Sequence, residues 1–369
     1  MGKTQPKGVG IIGCGNISQA YFKGLAPFDN VKIIACADIN EDVSKAKAEE
    51  HEVESLGTDA LLARDDIDVV VNLTTPQHHV PVNKTILEAG KHAHCEKPFG
   101  LDLKGGQEVL DLANSKGLKV GCAPDTFLGA GQQTCRKWID DGWIGQPLAG
   151  TAFMMCPGHE SWHPNPEFYY LKGGGPMLDM GPYYITALVN LLGPAKRVTA
   201  ITKKSWETRT ITSEAKKGTI IPVEIDTHQA GVIEFQNGAL ITVVMSFDVR
   251  RHGHHPIEIY GSEGSIQCPD PNGFGGDPMY SSRNDREWKS IPHSHPHKGG
   301  HRGIGVADLA LAVEQNRTPR CDGSLALHVL EVMLAFESSS EAGHPIDIKT
   351  PTQQPDALPQ GTREGQLIG

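Results

Sequence analysis

Gly8-Val9-Gly10-Ile11-Ile12-Gly13-Cys14-Gly15-Asn16-Ile17-Ser18 is an apolar run that breaks into glycines. Residues 8–13 read as a buried strand, and a helix is predicted from near Asn16 to about Leu25. The first two glycines of Gly13-x-Gly15-x-x-Ser18 allow a tight turn and the close approach of a pyrophosphate to a helix N-terminus. Ser18 stands where a third Gly or Ala is usual. The context strengthens the reading. A second apolar strand, Val31 to Ala37, ends at Asp38, near the roughly 20-residue offset expected of a ligand to a ribose 2′-hydroxyl. A carboxylate there repels a 2′-phosphate, so NAD is expected rather than NADP. Gly13, Gly15, Asn16, Ile17 and Asp38 are the expected cofactor contacts of this segment.

The alternation continues outward. Glu41 to Glu50 reads as helix, Asp68 to Leu73 as strand, His79 to Ala89 as helix, and His92 to Cys95 as strand. Leu101 to Ser115 then reads as helix and Lys119 to Cys122 as a fifth strand. Strands alternating with helices imply right-handed βαβ units and a parallel sheet. The fourth strand stops in Cys95-Glu96-Lys97-Pro98. The proline holds the lysine backbone extended. A cation held rigidly at the carboxyl end of a strand, in a nucleotide-binding pattern, is a candidate catalytic group.

Beyond Gly145 the rhythm changes. Leu148–Cys156, Arg197–Thr202, His228–Phe235, Leu240–Phe247 and Pro256–Tyr260 read as strands, and Asn237-Gly238 as a hairpin turn. Late helices are predicted near Val306–Gln315 and Leu325–Ser338. The expected fold class is therefore an α/β Rossmann domain plus an α+β C-terminal domain with a large, mostly antiparallel open sheet. The boundaries are 1–124 for the NAD(P)-binding domain and 125–349 for the substrate and oligomerisation domain. Residues 350–369, polar and proline-containing, read as a weakly ordered tail or an arm on a partner subunit.

Composition narrows the partners. The 369 residues carry 34 Lys plus Arg against 44 Asp plus Glu, a net charge of -10. There is no basic block of the kind that binds nucleic acid, and no apolar run approaches the roughly 20 residues that cross a bilayer. Met1-Gly2-Lys3-Thr4-Gln5-Pro6-Lys7 is not followed by a signal-type apolar region. The eight cysteines lack CxxC spacing and several sit inside apolar strands, as reduced thiols do. A cytoplasmic protein is expected.

Further elements extend the pattern: Thr74-Thr75-Pro76 with His79, Ala89-Gly90-Lys91-His92, Glu96-Lys97-Pro98, Gly173-Gly174-Gly175, Asp179-Met180-Gly181-Pro182-Tyr183, and His328-Val329-Leu330-Glu331. With the glycine loop and Asp38 they resemble the glucose–fructose oxidoreductase / inositol dehydrogenase / MocA (Gfo/Idh/MocA) family. The resemblance implies NAD(P)-linked oxidation or reduction of a sugar, sugar derivative or cyclitol. It also implies a homodimer or homotetramer assembled through the open sheet. Thr74, Thr75, Pro76, His79, Glu96 and Lys97 are then further cofactor contacts, and Lys97, Asp179 and Tyr183 the catalytic group. Most relatives carry His where this chain has Tyr183. Asp179 and Tyr183, at i and i+4 behind Pro176, share one helix face. A free tyrosine, with a pKa of about 10, is a poor base at neutral pH. Lys97 is expected to lower that value and to hydrogen-bond the reacting hydroxyl while Tyr183 takes its proton.

The loop Gly158-His159-Glu160-Ser161-Trp162-His163 leads through Phe168-Tyr169-Tyr170 to that helix. Trp162, His163 and Tyr170 are the expected substrate-side residues. Two histidine clusters, His252/His254/His255 and His293/His295/His297/His301, lie in Pro/Gly loops, and no metal site is assigned to them. Two other readings compete with a dehydrogenase. One is redox-assisted glycoside cleavage with recycled NAD. The other is a non-catalytic nucleotide- or sugar-sensing regulator, against which the retention of Lys97, Asp179 and Tyr183 argues.

Overall fold

The computed structural model describes residues 5–368. Met1–Thr4, the start of the segment read above for a signal, and the final residue of the tail lie outside the described residues. Six parallel strands form the first sheet: β1 (Lys7–Ile12), β2 (Val31–Ala37), β3 (Glu54–Ser55), β4 (Val69–Asn72), β5 (His92–Cys95) and β6 (Val120–Cys122). Their order is β3-β2-β1-β4-β5-β6. The crossovers carry α1 (Ser18–Leu25), α2 (Glu41–His51), α3 (Thr58–Leu62), α4 (Pro76–Glu88) and α5 (Leu103–Lys116). Strands such as Val69-Val70-Val71 are buried on both faces, which is why they read as continuous apolar runs. The short β3 and α3 interrupt a stretch that the sequence pattern leaves unassigned.

Register decides what this sheet presents. Ile12 pairs with Ala37 on one side and Asn72 on the other, and Asn72 pairs with Cys95. Strand ends at one level bring Gly13, Asp38, Thr74 and Glu96 to the same carboxyl edge. The chain reverses its winding between β1 and β4, and ligands of such sheets bind in the crevice there.

α6 (Ala130–Asp140) leads away to the second sheet. Nine strands form it: β7 (Pro147–Met155), β8 (Ala195–Lys203), β11 (His228–Phe235), β12 (Leu240–Ser246), β13 (Ile257–Gly261), β14 (Gly264–Cys268), β15 (Met279–Ser282), β16 (Lys289–Ser290) and β17 (Ile346–Asp347). A separate small ribbon pairs β9 (Thr208–Thr210) with β10 (Ile220–Pro222). β7 and β12 run parallel and the other pairs antiparallel. α7 (Gly175–Leu192) and α9 (Gly323–Ala342) cover one face. Ile201, Val232 and Leu240 stay exposed on the sheet.

Two features depart from the sequence expectation. α9 and α8 (Ile304–Glu314) also pack against β6 of the first sheet, so the late helices join the two layers. The tail, expected to be weakly ordered or an arm on a partner subunit, packs on its own chain as a strap. Thr350 N donates to Glu331 Oε2 at 2.7 Å, Pro355 O accepts from Arg136 Nη1 at 2.9 Å, and Leu358 N donates to Gln133 Oε1 at 2.8 Å. No described helix is long and apolar enough to cross a membrane.

Candidate active site

The glycine loop is built for a close neighbour. Gly13 adopts φ +99°, and a Cβ there would lie 2.7 Å from the Leu73 main chain. At Gly15 an added Cβ meets nothing within 4 Å, so the loop borders open space. Asp38 Oδ2 accepts the Cys14 N–H at 2.7 Å and Oδ1 that of Asn40 at 2.9 Å, locking the end of β2 to the loop. Ile17, at the N-cap of α1, supplies no side-chain cap; Ser18 N donates to Gly15 O at 3.0 Å and Ala20 N to Ile17 O at 3.0 Å, tightening the turn over which the helix begins. This cradle fits a dinucleotide: open space over Gly15, the start of a helix behind it, and an acid at the end of the neighbouring strand.

The next strand ends are braced from within. Thr74 Oγ1 donates to Asn72 Oδ1 at 2.7 Å, Thr75 Oγ1 lies 2.9 Å from His78 Nδ1, and Pro76 starts α4. His79 is 1% exposed, with Nδ1 2.7 Å from Pro98 O and Nε2 2.9 Å from Thr74 O. Burial alone would lower its pKa, but Cys95 and the two carbonyls raise it to about 9. His79 therefore ties the Thr74 loop to the Lys97-Pro98 turn, with both ring nitrogens facing main-chain carbonyls. Glu96 is likewise buried, accepting the Tyr21 hydroxyl at 2.8 Å and the Lys97 N–H at 2.9 Å.

Lys97 projects from this frame to α7. Its Nζ donates to Asp179 O at 2.7 Å and Asp179 Oδ1 at 3.1 Å, and lies 5.2 Å from the Tyr183 ring centroid. Pro176 sits in the first turn of α7, and the i, i+4 spacing puts Asp179 and Tyr183 on the face that meets Lys97. Burial would lower the Lys97 pKa, but Asp179, Tyr183 and Glu96 raise it, so the ammonium stays charged. Burial would raise Asp179, and Lys97 with His159 bring it below the ordinary carboxylate value.

Tyr183 corrects one expectation. Its pKa is raised, because burial outweighs the opposing pull of Lys97 and Arg302. The phenol is thus neutral over the physiological range, a proton donor rather than a ready base.

Three side chains join the group that the motifs did not single out. Arg302 Nη1 donates to the Tyr183 hydroxyl at 3.3 Å, with the guanidinium 5.5 Å from the ring centroid. His159 Nε2 lies 3.5 Å from Asp179 Oδ2. Burial would lower the His159 pKa; Asp179 and Cys156 raise it to about 9. Tyr169 packs edge-on against His159, ring centroids 3.9 Å apart. His159 and Tyr169 stand within the loop read above as substrate-facing. Arg302 closes the histidine-rich loop and has no local signature.

The substrate-side expectation divides. Trp162 is 62% exposed and stands beside His159, with His163 between Trp162, Phe168 and Tyr169. Tyr170 is fully buried: its hydroxyl donates to Glu160 and accepts the His159 N–H at 3.1 Å. It supports the aromatic wall from behind, and the half-buried Tyr169 is the ring that packs against His159.

Comparison with known proteins agrees with this geometry. Residues 7–123 match the family model described as oxidoreductase family, NAD-binding Rossmann fold, and residues 132–267 match the GFO/IDH/MocA C-terminal domain. The oxidoreductase YrbE of Bacillus subtilis is 24% identical over 92% of this chain and 96% of its own. D-glucoside 3-dehydrogenase of Escherichia coli is 26% identical over 66% of this chain and 71% of its own. Among solved structures, levoglucosan dehydrogenase in complex with NADH superposes with a TM-score of 0.80 at 19% identity. It covers 94% of this chain and 100% of that one.

Proposed function

The chain belongs to the Gfo/Idh/MocA oxidoreductases, whose Rossmann domain binds NAD, and from that premise we propose a dehydrogenase for a secondary hydroxyl of a sugar, sugar derivative or cyclitol. The observation that carries the reading is Lys97 Nζ, held at the carboxyl end of β5 within 3.1 Å of Asp179 and over the Tyr183 ring. When bound, the nicotinamide accepts or returns the hydride.

The chain's own residues handle the oxygen. Lys97 places an ammonium where alkoxide charge develops, a fixed and largely buried cation. Asp179 and the α7 carbonyl hold that ammonium in one orientation. Tyr183 exchanges the proton: as a neutral phenol it donates in the direction of carbonyl reduction. In the direction of alcohol oxidation it must first lose its proton, which Lys97 and Arg302 favour. Trp162, His163 and Tyr169 offer ring faces and edges to the polyol. Gly13, Gly15, Asn16 and Ile17 receive the pyrophosphate, and Asp38 the ribose, favouring NAD over NADP.

The exposed apolar residues Ile201, Val232 and Leu240 support assembly as a homodimer or homotetramer through the open face of the second sheet. A spectrophotometric screen of sugars and polyols with NAD and NADP tests the function. NADH formation with one stereochemical class is the expected result. Product release without net NADH would favour glycoside cleavage through transient oxidation, and saturable ligand binding without any turnover would favour a sensor.

A further inference from the structure

The loop from Ser290 to Gly303 carries four histidines, and the fold treats them differently. Ring nitrogens of His293 and His295 face the carbonyls of Gly276 and Leu358, at 2.7 and 2.9 Å. His297 and His301 instead turn toward each other, centroids 5.4 Å apart and planes at 82°. Both also face Glu364 of the C-terminal strap. Glu364 Oε2 lies 3.3 Å from His297 Nδ1 and 2.8 Å from His301 Nε2. One ligating atom from each of the three residues falls within 4.8 Å of the others. The carboxylate is fixed from behind, accepting the His297 N–H at 2.9 Å and the Lys298 N–H at 3.1 Å.

The His297 ring is fully buried, and among the described residues neither of its nitrogens has an aligned hydrogen-bond partner. A buried polar group in that state costs stability unless something else satisfies it. Phe28 packs against both imidazoles and Phe274 against His301, so apolar rings shield the cluster.

We propose that His297, His301 and Glu364 bind a divalent transition metal of the zinc class, leaving a fourth position for water. Two imidazoles and one carboxylate are a ligand set that zinc accepts, whereas calcium and magnesium require oxygen donors. Metal–ligand bonds of about 2.0–2.1 Å in a tetrahedron separate the ligand atoms by roughly 3.3–3.4 Å. The His297–Glu364 separation already has that value. The His301–Glu364 contact must open by about half an ångström, within the reach of a side-chain rotation. The metal would fasten the C-terminal strap to the loop that ends in Arg302. His301 is the residue before Arg302, so an occupied site holds the guanidinium against Tyr183. Arg302 is thereby a positioning target of the metal, not a ligand.

The test uses untagged full-length protein, stripped with a chelator and dialysed. Zn²⁺ is titrated in competition with a chromophoric chelator, and Co²⁺ is added separately for its visible d–d bands. A saturable stoichiometric site with low-symmetry Co²⁺ bands is expected. His301→Ala and Glu364→Gln should each weaken Zn²⁺ binding by about tenfold or more, while His293→Ala binds as wild type. Zn²⁺ should also slow trypsin cleavage after the exposed Arg363. Zn²⁺ affinity unchanged in both His301→Ala and Glu364→Gln would overturn the proposal, as would the absence of a Co²⁺ spectrum in the wild type. Should His301→Ala fail to fold, Glu364→Gln and the wild-type spectrum decide. The readouts need no substrate, so their failure leaves the oxidoreductase reading intact.

Discussion

Lys97 and Asp179, 82 residues apart in the sequence, meet twice: Nζ donates to the main-chain carbonyl at 2.7 Å and to Oδ1 at 3.1 Å. The first contact does not depend on the Asp179 side chain. The lysine is therefore oriented by the backbone of α7 and charged by its carboxylate. Lys97→Met should lower kcat by about 10²–10³, with the Kd for NAD within a few fold of wild type because the glycine loop and Asp38 are untouched. Steady-state rates and a nucleotide-binding isotherm check this. A variant with wild-type kcat would refute the role of Lys97.

Tyr183 is predicted to set the pH dependence. Its folded pKa is raised, so the neutral phenol persists beyond pH 10 in the free protein. Carbonyl reduction should be flat through neutrality and fall only on the far alkaline side, whereas alcohol oxidation should rise steadily with pH. Arg302 opposes the raised value, so Arg302→Leu should move the oxidation profile further alkaline. Tyr183→Phe should abolish the pH dependence along with most of the rate. Oxidation that peaks near pH 6 would contradict this assignment.

These elements differ in how legible they are in the sequence. The glycine loop, Asp38 and Lys97 are local: the first two follow apolar strands that mark their own ends, and Pro98 marks the turn that carries Lys97. Asp179 and Tyr183 share a face because helical periodicity fixes it. Arg302 reaches Tyr183 only through packing across 119 residues, and nothing near it in the chain announces that. His159 and Tyr170 sit in one polar–aromatic loop, and composition does not tell which side chain faces inward. The strap 350–368 is polar because its stability comes from main-chain hydrogen bonds to Arg136, Gln133 and Glu331, which leave no apolar pattern. Two-residue strands such as β3 and β16 are too short to show alternation.

Asp179 couples to His159. Its folded pKa is lowered and that of His159 is raised to about 9. The His159 contribution to stability is therefore fully present below about pH 6.5 and is lost as pH rises through about 9. The Asp179 contribution is present above its unfolded value and is lost as pH falls through the folded one. Asp179→Asn should return the His159 pKa toward 6.5 or below, since burial then acts with less opposition. Proton NMR titration of the His159 ring reads this directly. A value still near 9 in Asp179→Asn would assign the shift to Cys156.

Asp38 is predicted to decide between the two nicotinamide cofactors. Its carboxylate holds the Cys14 N–H at 2.7 Å and, under the proposed function, would repel a 2′-phosphate at the end of β2. Asp38→Ala should lower kcat/KM for NAD by about tenfold while improving the relative use of NADP. Comparison of kcat/KM for the two cofactors is the measurement. Wild-type preference for NADP would overturn the role given to this acid.

The strap is predicted to be structural. Truncation after Thr350 removes the Pro355 carbonyl from the buried Arg136 guanidinium, the Leu358 N–H from Gln133, and the Leu358 carbonyl from His295. It also removes the Asp356 carbonyl from Arg320, which is ion-paired to the fully buried Asp308. Each group left without a partner costs about 1–3 kcal/mol where water cannot replace it. Losing the buried Leu358 adds to the effect. The truncated chain should therefore unfold at markedly lower urea concentration than the full chain. Gln133→Ala, which removes one of these contacts, should shift the midpoint in the same direction by a smaller amount. Equal midpoints for the truncated and full-length chains would mean that residues 351–368 only lie on the surface, and that Arg136 and Gln133 find their partners elsewhere.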